Sequence, residues 1–338
     1  MTMDDKKKIP GFTLSDAVLK GETADIYFAH TLTVLRRENI NPVAVMEVFP
    51  ARAGILCGME EVKVLLKKVL AEVECEVWAL NEGDAMDAKE IVLRIKAPYR
   101  SYGLYETAID GILAHSSGWA TAARRCVDAA SGLPVLSFGV RHVHPNVAAV
   151  MDYSAMVGGC SGCSSIIGAS LFGVSPSGTM PHALILIMGD TVAATLAFDR
   201  YMDSSVPRIS LVDTFLDENE ESLRVAQALG ERLDSVRLDT PSELGGVTPE
   251  LVEKVRNTLD ASGYTKVQIF VSGGITPDRI KGFLKSGTPV DGFGVGSYIS
   301  GAPPIDFTAD LHEIDGKPIA KRGRTAGITQ NPRLNRIM

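Results

Sequence analysis

From residue 133 onward, short apolar runs alternate with amphipathic segments. "LPVLSFGV" (133–140), "RISLVDTF" (208–215), "SVRLDT" (235–240), "KVQIFVSGG" (266–274) and "VDGFGVGS" (290–297) read as strands. Between them, "PNVAAVMDYSAMV", "ENEESLRVAQALGERL" and "TPELVEKVRNTLDASG" carry apolar residues at helical spacing. Nearly continuous apolar strands separated by amphipathic helices predict βα units around a parallel sheet. In "SGGITPDRIKGFLKSG", Thr276 is placed to cap a helix, Pro277 to begin it and Gly287 to close it.

The first third has a different rhythm. "VAVMEVF" (43–49), "EVWAL" (76–80) and "AKEIVLRIKAPY" (88–99) read as strands. "YETAIDGILAHSSGWATAARRCVDAA" (105–130) reads as one helical region interrupted near Gly118. Beyond residue 300 the chain turns Pro-rich and basic, a pattern of strands returning to the first region. The expected domains are 1–130, an N-terminal α/β domain; 131–299, an α/β barrel with phosphate-binding loops; and 300–338, a tail that rejoins the first.

Composition narrows the possibilities. With 338 residues, 45% hydrophobic and 22% charged, the chain has enough apolar material for a large core. The net charge of -7 argues against a nucleic-acid surface. The polar start "MTMDDKKKIPGF" and the absence of a run of ~18 apolar residues predict a cytoplasmic protein without a membrane span. The five cysteines include the pair Cys160 and Cys163, which has no second pair to complete a zinc site and reads as structural.

The chemistry concentrates at predicted strand ends. Ser272, Gly273 and Gly274 follow one strand, and Gly294, Val295, Gly296 and Ser297 fall at the next, so backbone N–H groups there can approach a phosphate closely. Asp213, Arg237 and Asp239 close two other strands, where carboxylates suit ribose hydroxyls or Mg²⁺ and a guanidinium suits an anion. Phe138 offers a flat face, and Arg141, His142 and His144 follow it. In "SGTMPHALI", Thr179 and His182 stand before the apolar run "ALILIMGDTVAATLAF", which reads as a buried helix.

These segments, in this order, resemble the type II phosphoribosyltransferases, and nicotinate phosphoribosyltransferase most closely. "TADIYF", "YETAIDGIL", "FGVR", "GTMPH", "LVDTF", "VRLDT", "SGG" and "FGVGS" carry the likeness. The resemblance implies an irregular (β/α) barrel with an additional α/β domain. It implies transfer of a phosphoribosyl group from phosphoribosyl pyrophosphate to nicotinate, with Mg²⁺, in NAD biosynthesis. Tyr27 and Phe138 would sandwich the pyridine ring, the tyrosine coming from a neighbouring subunit, so a homodimer is implied. Arg141 and Arg237 would meet the carboxylate and sugar phosphate, Asp213 and Asp239 the ribose and Mg²⁺, and the glycine loops the 5′-phosphate. His182 would be the residue phosphorylated by ATP, with Thr179 cradling that phosphate.

Quinolinate phosphoribosyltransferase, which releases CO₂, is the alternative enzyme, and a non-catalytic phosphate-ligand binder is the alternative outside catalysis. Two arginines and a few histidines at the strand ends, with lysines mostly elsewhere, favour the acceptor with one carboxylate. The basic stretch from Lys317 to Arg324 is open between a role at a neighbouring site and solvated surface.

Overall fold

The computed structural model describes residues 11–338, so the charged N-terminal decapeptide lies outside the described residues. Contacts divide the chain into one unit of residues 1–121 and 302–338 and a second of residues 122–301. The division falls at 121/122, inside a long helix, rather than at residue 130.

In the first unit, helix α1 (Ile26–Arg37) precedes strand β1 (Val43–Pro50), helix α2 (Met59–Val69), strand β2 (Glu76–Ala79) and strand β3 (Leu93–Pro98). β1 is buried along nearly its whole length, whereas β3 alternates buried and half-buried positions. Only the second half of "AKEIVLRIKAPY" is a strand, because Lys89 turns the chain with φ 68°. Helix α3 (Glu106–Ala130) is continuous through Gly118. That glycine serves close approach: a Cβ there would meet the carbonyl oxygen of Pro303 at 2.6 Å.

The second unit carries strands β4 (Val135–Ser137), β5 (Gly162–Cys163), β6 (Ile209–Leu211), β7 (Ser235–Leu238), β8 (Gln268–Val271) and β9 (Gly292–Val295). They pair in parallel in the order β5-β4-β9-β8-β7-β6. β5 and β6 pair with no further strand among the described residues, so the sheet is open, half of the expected barrel. Helix α4 (Ala148–Val157) precedes β5, and between β5 and β6 the chain forms helices α5 (Ile166–Phe172), α6 (His182–Met188) and α7 (Thr191–Tyr201) in place of further strands.

The apolar run expected as one buried helix is α6 and α7, bent by 110°. Gly189, at φ 77°, ends the first, and Asp190 caps the second by accepting from the Ala193 N–H at 2.8 Å. Much of α6 is exposed, Ile187 to 84%. No single helix among the described residues is long and apolar enough to cross a membrane.

Helices α8 (Glu218–Leu229), α9 (Pro249–Ala261) and α10 (Pro277–Lys285) alternate with β6 to β9. Thr276 caps α10 and Pro277 opens it, as its sequence predicts. Strand β10 (Phe307–Ile314) returns to the first unit and lies antiparallel to β1, followed by short strands β11 (Lys317–Pro318) and β12 (Asn335–Arg336). The first sheet has the order β11-β10-β1-β3-β2-β12. Its one fully buried carboxylate, Glu47, accepts from Arg94 Nε at 2.7 Å and from the Thr329 N–H, which pins the tail to the sheet.

Candidate active site

A parallel sheet brings the C-terminal ends of its strands to one edge. Two adjoining cavities open there. The smaller, about 240 Å³, is lined by Phe138, Arg141, His142, Arg237, Asp239, Ser272, Gly273, Gly274, Gly294, Gly296 and Ser297. The larger, about 550 Å³, shares Phe138, Arg141, Arg237 and Asp239 and adds Thr179 and His182.

The glycines make the smaller cavity possible. A Cβ on Gly294 would come within 2.5 Å of the Phe138 ring, so glycine alone lets that ring lie on the neighbouring strand. Gly273 and Gly274 hold φ of 84° and 61°, a pair of left-handed residues directly after β8. Ser272 Oγ donates to Asp239 Oδ1 at 2.7 Å, tying this loop to the end of β7. Val295 is buried within β9 and lines neither cavity. His142 Nδ1 lies 3.3 Å from Ser300 Oγ, and His144 instead accepts from the Asn146 N–H, capping a short turn.

In the larger cavity His182, the first residue of α6, places Nε2 at 2.9 and 3.0 Å from the two oxygens of Asp213. Burial pushes the Asp213 carboxyl above its usual range, and the His182 bond and charge oppose that shift. Ligand atoms of His182, Asp213 and Asp239 all lie within 4.8 Å of one another. Arg237 donates to Thr179 Oγ1 at 2.9 Å, sits 5.6 Å over the Phe138 ring and is 3.9 Å from Asp239. Burial lowers its pKa, with Asp239 and Asp213 countering. Thr179 therefore orients Arg237, a contact that spacing along the chain does not reveal.

Tyr27 belongs to the first unit. It stands on α1, 57% exposed, with its hydroxyl 3.4 Å from Asp25. Of the basic tail, Arg324 pairs with Asp310 at 2.9 Å within that unit, and Lys317 and Lys321 are exposed. Cys160 and Cys163 are buried and unbonded to one another; burial pushes the Cys163 thiol up to about 12 and raises Cys160 as well.

Sequence reasoning passed over two residues. Ser164 lines the larger cavity, and fully buried Asp152 stands behind it, accepting from Ser137 Oγ at 2.9 Å and the Ser165 N–H at 2.8 Å. An aspartate inside an otherwise apolar helix was the available signal.

The model of the quinolinate phosphoribosyl transferase C-terminal domain matches residues 119–310, and that of its N-terminal domain matches residues 25–117. The chain belongs to the quinolinate phosphoribosyl transferase family. A nicotinate-nucleotide pyrophosphorylase from Pyrococcus furiosus is 43% identical, with a TM-score of 0.87 over 95% of this chain and 82% of that one. A nicotinate phosphoribosyltransferase of Mycobacterium tuberculosis is 33% identical over 71% of this chain and 52% of its own length. The human nicotinate-nucleotide pyrophosphorylase [carboxylating] is 25% identical over 79% of this chain and 82% of its own. The chain thus spans about half the length of the mycobacterial relative, 52%.

The family matches correct the likeness drawn from the sequence to nicotinate phosphoribosyltransferase. The physical reason is that half of the motifs carrying that likeness, "SGG", "FGVGS", "LVDTF" and "VRLDT", supply glycines and carboxylates suited to a phosphate, a ribose and a metal. Such groups belong to a phosphoribosyl donor and do not read the acceptor.

Proposed function

We propose that this chain is a phosphoribosyltransferase of NAD biosynthesis, moving the 5-phosphoribosyl group of phosphoribosyl pyrophosphate onto quinolinate with release of CO₂ and pyrophosphate. The observation that carries the proposal is the pair of adjoining cavities: a diglycine loop at one end, His182 at the other, and Arg141, Arg237 and Asp239 on the shared wall. The quinolinate assignment rests on the family matches.

In the reaction the bond from ribose C1 to the pyrophosphate oxygen breaks, and the pyridine nitrogen bonds to C1. The electrons of the departing bond leave with pyrophosphate. No protein nucleophile is required, so positioning and charge stabilisation supply the rate. The glycine loops hold the 5′-phosphate, and the arginines orient the acceptor carboxylates. With quinolinate, the bond to the adjacent carboxylate then breaks, its electron pair stays on the ring carbon, and a proton replaces CO₂ there.

Asp213 and Asp239 fit Mg²⁺, a cation that prefers carboxylates together with phosphate oxygens. Held there, Mg²⁺ would neutralise charge on the pyrophosphate oxygens. His182 keeps Asp213 oriented. A homodimer with shared sites is part of the proposal, supported by exposed Ile166, Ile167, Leu186 and Ile187 on α5 and α6.

The test offers quinolinate, nicotinate or nicotinamide with phosphoribosyl pyrophosphate and Mg²⁺, and measures mononucleotide, pyrophosphate and CO₂. Quinolinate is expected to yield all three in equal amounts. Product from nicotinate alone would overturn the acceptor but keep the transfer, and no product from any base would leave a phosphate-ligand binder. ATP belongs in the same assay: coupling through His182 predicts stimulation by ATP that His182→Ala abolishes.

A further inference from the structure

The diglycine loop after β8 is held from behind. Arg279, in the first turn of α10, donates from Nη1 to the carbonyl oxygen of Gly273 at 2.7 Å and to that of Gly274 at 3.3 Å. Its Nη2 donates to the carbonyl oxygen of Val247, in the preceding βα connection, at 2.7 Å. Its own N–H bonds to the capping hydroxyl of Thr276. One guanidinium thus fastens carbonyls from two loops, and Arg279 does not itself line the cavity.

Helix stability does not account for this residue. A cation in the first turn opposes the helix dipole, at a cost of about 0.3–1 kcal/mol. The carbonyls it holds point to a different purpose. In a planar trans peptide, a carbonyl and the N–H of the next residue point in opposite directions. Turning the carbonyls of Gly273 and Gly274 toward Arg279 turns the N–H groups of Gly274 and Ile275 away from it. Among the described residues, the N–H groups of Gly273, Gly274 and Ile275 donate to no protein acceptor, although Ile275 is only 3% exposed. Backbone donors left open at such a place await an anion or water.

We infer that Arg279 is a positioning residue that sets the diglycine loop as an anion cradle, acting on the phosphate of the donor through the loop's backbone. This rests on the phosphate reading of that loop. A contact that orients a ligand-binding group without touching the ligand is typically worth roughly 10–100-fold in affinity. The cradle grips the 5′-phosphate equally before and during transfer, so its loss weakens donor binding and leaves the turnover rate alone.

The experiment titrates the full chain and the variants Arg279→Met and Arg279→Lys with ribose 5-phosphate, and records KM for each substrate, kcat and thermal unfolding. Arg279→Met is expected to weaken ribose 5-phosphate binding and raise the KM for phosphoribosyl pyrophosphate by roughly 10–100-fold. The acceptor KM and kcat stay at the parent values. Arg279→Lys keeps the charge without the fork and recovers only part of the loss; it carries the test alone if Arg279→Met fails to fold. Unchanged ribose 5-phosphate affinity with lowered thermal stability would overturn the inference, leaving a structural arginine, and so would full recovery by Arg279→Lys. A parent chain that does not bind ribose 5-phosphate would instead overturn the phosphate reading of the loop.

Discussion

The two units carry six-stranded sheets that use polar residues in opposite ways. In the first sheet, antiparallel pairing sends neighbouring strand ends to opposite edges, and its buried ionic groups satisfy one another in the interior. Glu47, Arg94, His312 and the Thr329 N–H form one closed cluster. In the second sheet, parallel pairing delivers every strand end to the same edge. Phe138, Asp213, Asp239 and Ser272 gather there, although they are far apart along the chain. Parallel strand direction gathers these polar groups at one edge of the second sheet.

The contrast can be broken from either side. Glu47→Ala leaves Arg94 as an uncompensated buried charge and should cost about 3–5 kcal/mol, read by chemical denaturation of the first unit. Transfer by molecules that remain folded should be unaffected; a variant as stable as the parent would show that the interior cluster is dispensable. In the second unit the balance reverses. Arg237→Ala should lower kcat/KM by about 10²–10³-fold with little change in melting temperature, and parent-like rates would remove Arg237 from the site.

Two smaller effects depend on pH. Asp213 is raised by burial, so as pH falls it takes a proton earlier than an ordinary aspartate and loses its role as partner to His182. The acid limb of the rate profile should therefore lie above the usual aspartate range. A limb at the ordinary aspartate position would separate Asp213 from the rate. Asp110, in the first unit, is pushed up to about 7 by burial. The unfolded chain ionises this group near the ordinary pKa of about 3.9, so stability contributed at low pH is lost as pH rises through about 7. Asp110→Asn should raise the melting temperature at pH above that window and change it little below. An equal gain at both ends would place the effect outside ionisation.

Local signals were legible where a single segment contains its own explanation. The α10 boundaries followed from Thr276 and Pro277, because cap and first turn are neighbours in sequence. The break between α6 and α7 was also written locally, in Gly189-Asp190, but the apolar residues around it masked it. Gly118 misled in the other direction: its reason is Pro303, far along the chain. Thr179, expected beside a phosphate, also holds Arg237, a partner 58 residues away, which no local pattern announces.

The sequence by itself determined the alternation of strands and helices, the glycine loops and the residue types at the strand ends, since each depends on neighbours within a few positions. It also contained enough to reach the phosphoribosyltransferases, though not the acceptor, because groups suited to the donor lie in contiguous motifs. Only the tertiary structure decided that the parallel sheet stays open, that His182 meets Asp213, and that Arg279 grips the back of the diglycine loop. Those outcomes depend on which distant strands lie side by side, and distance along the chain carries no record of that.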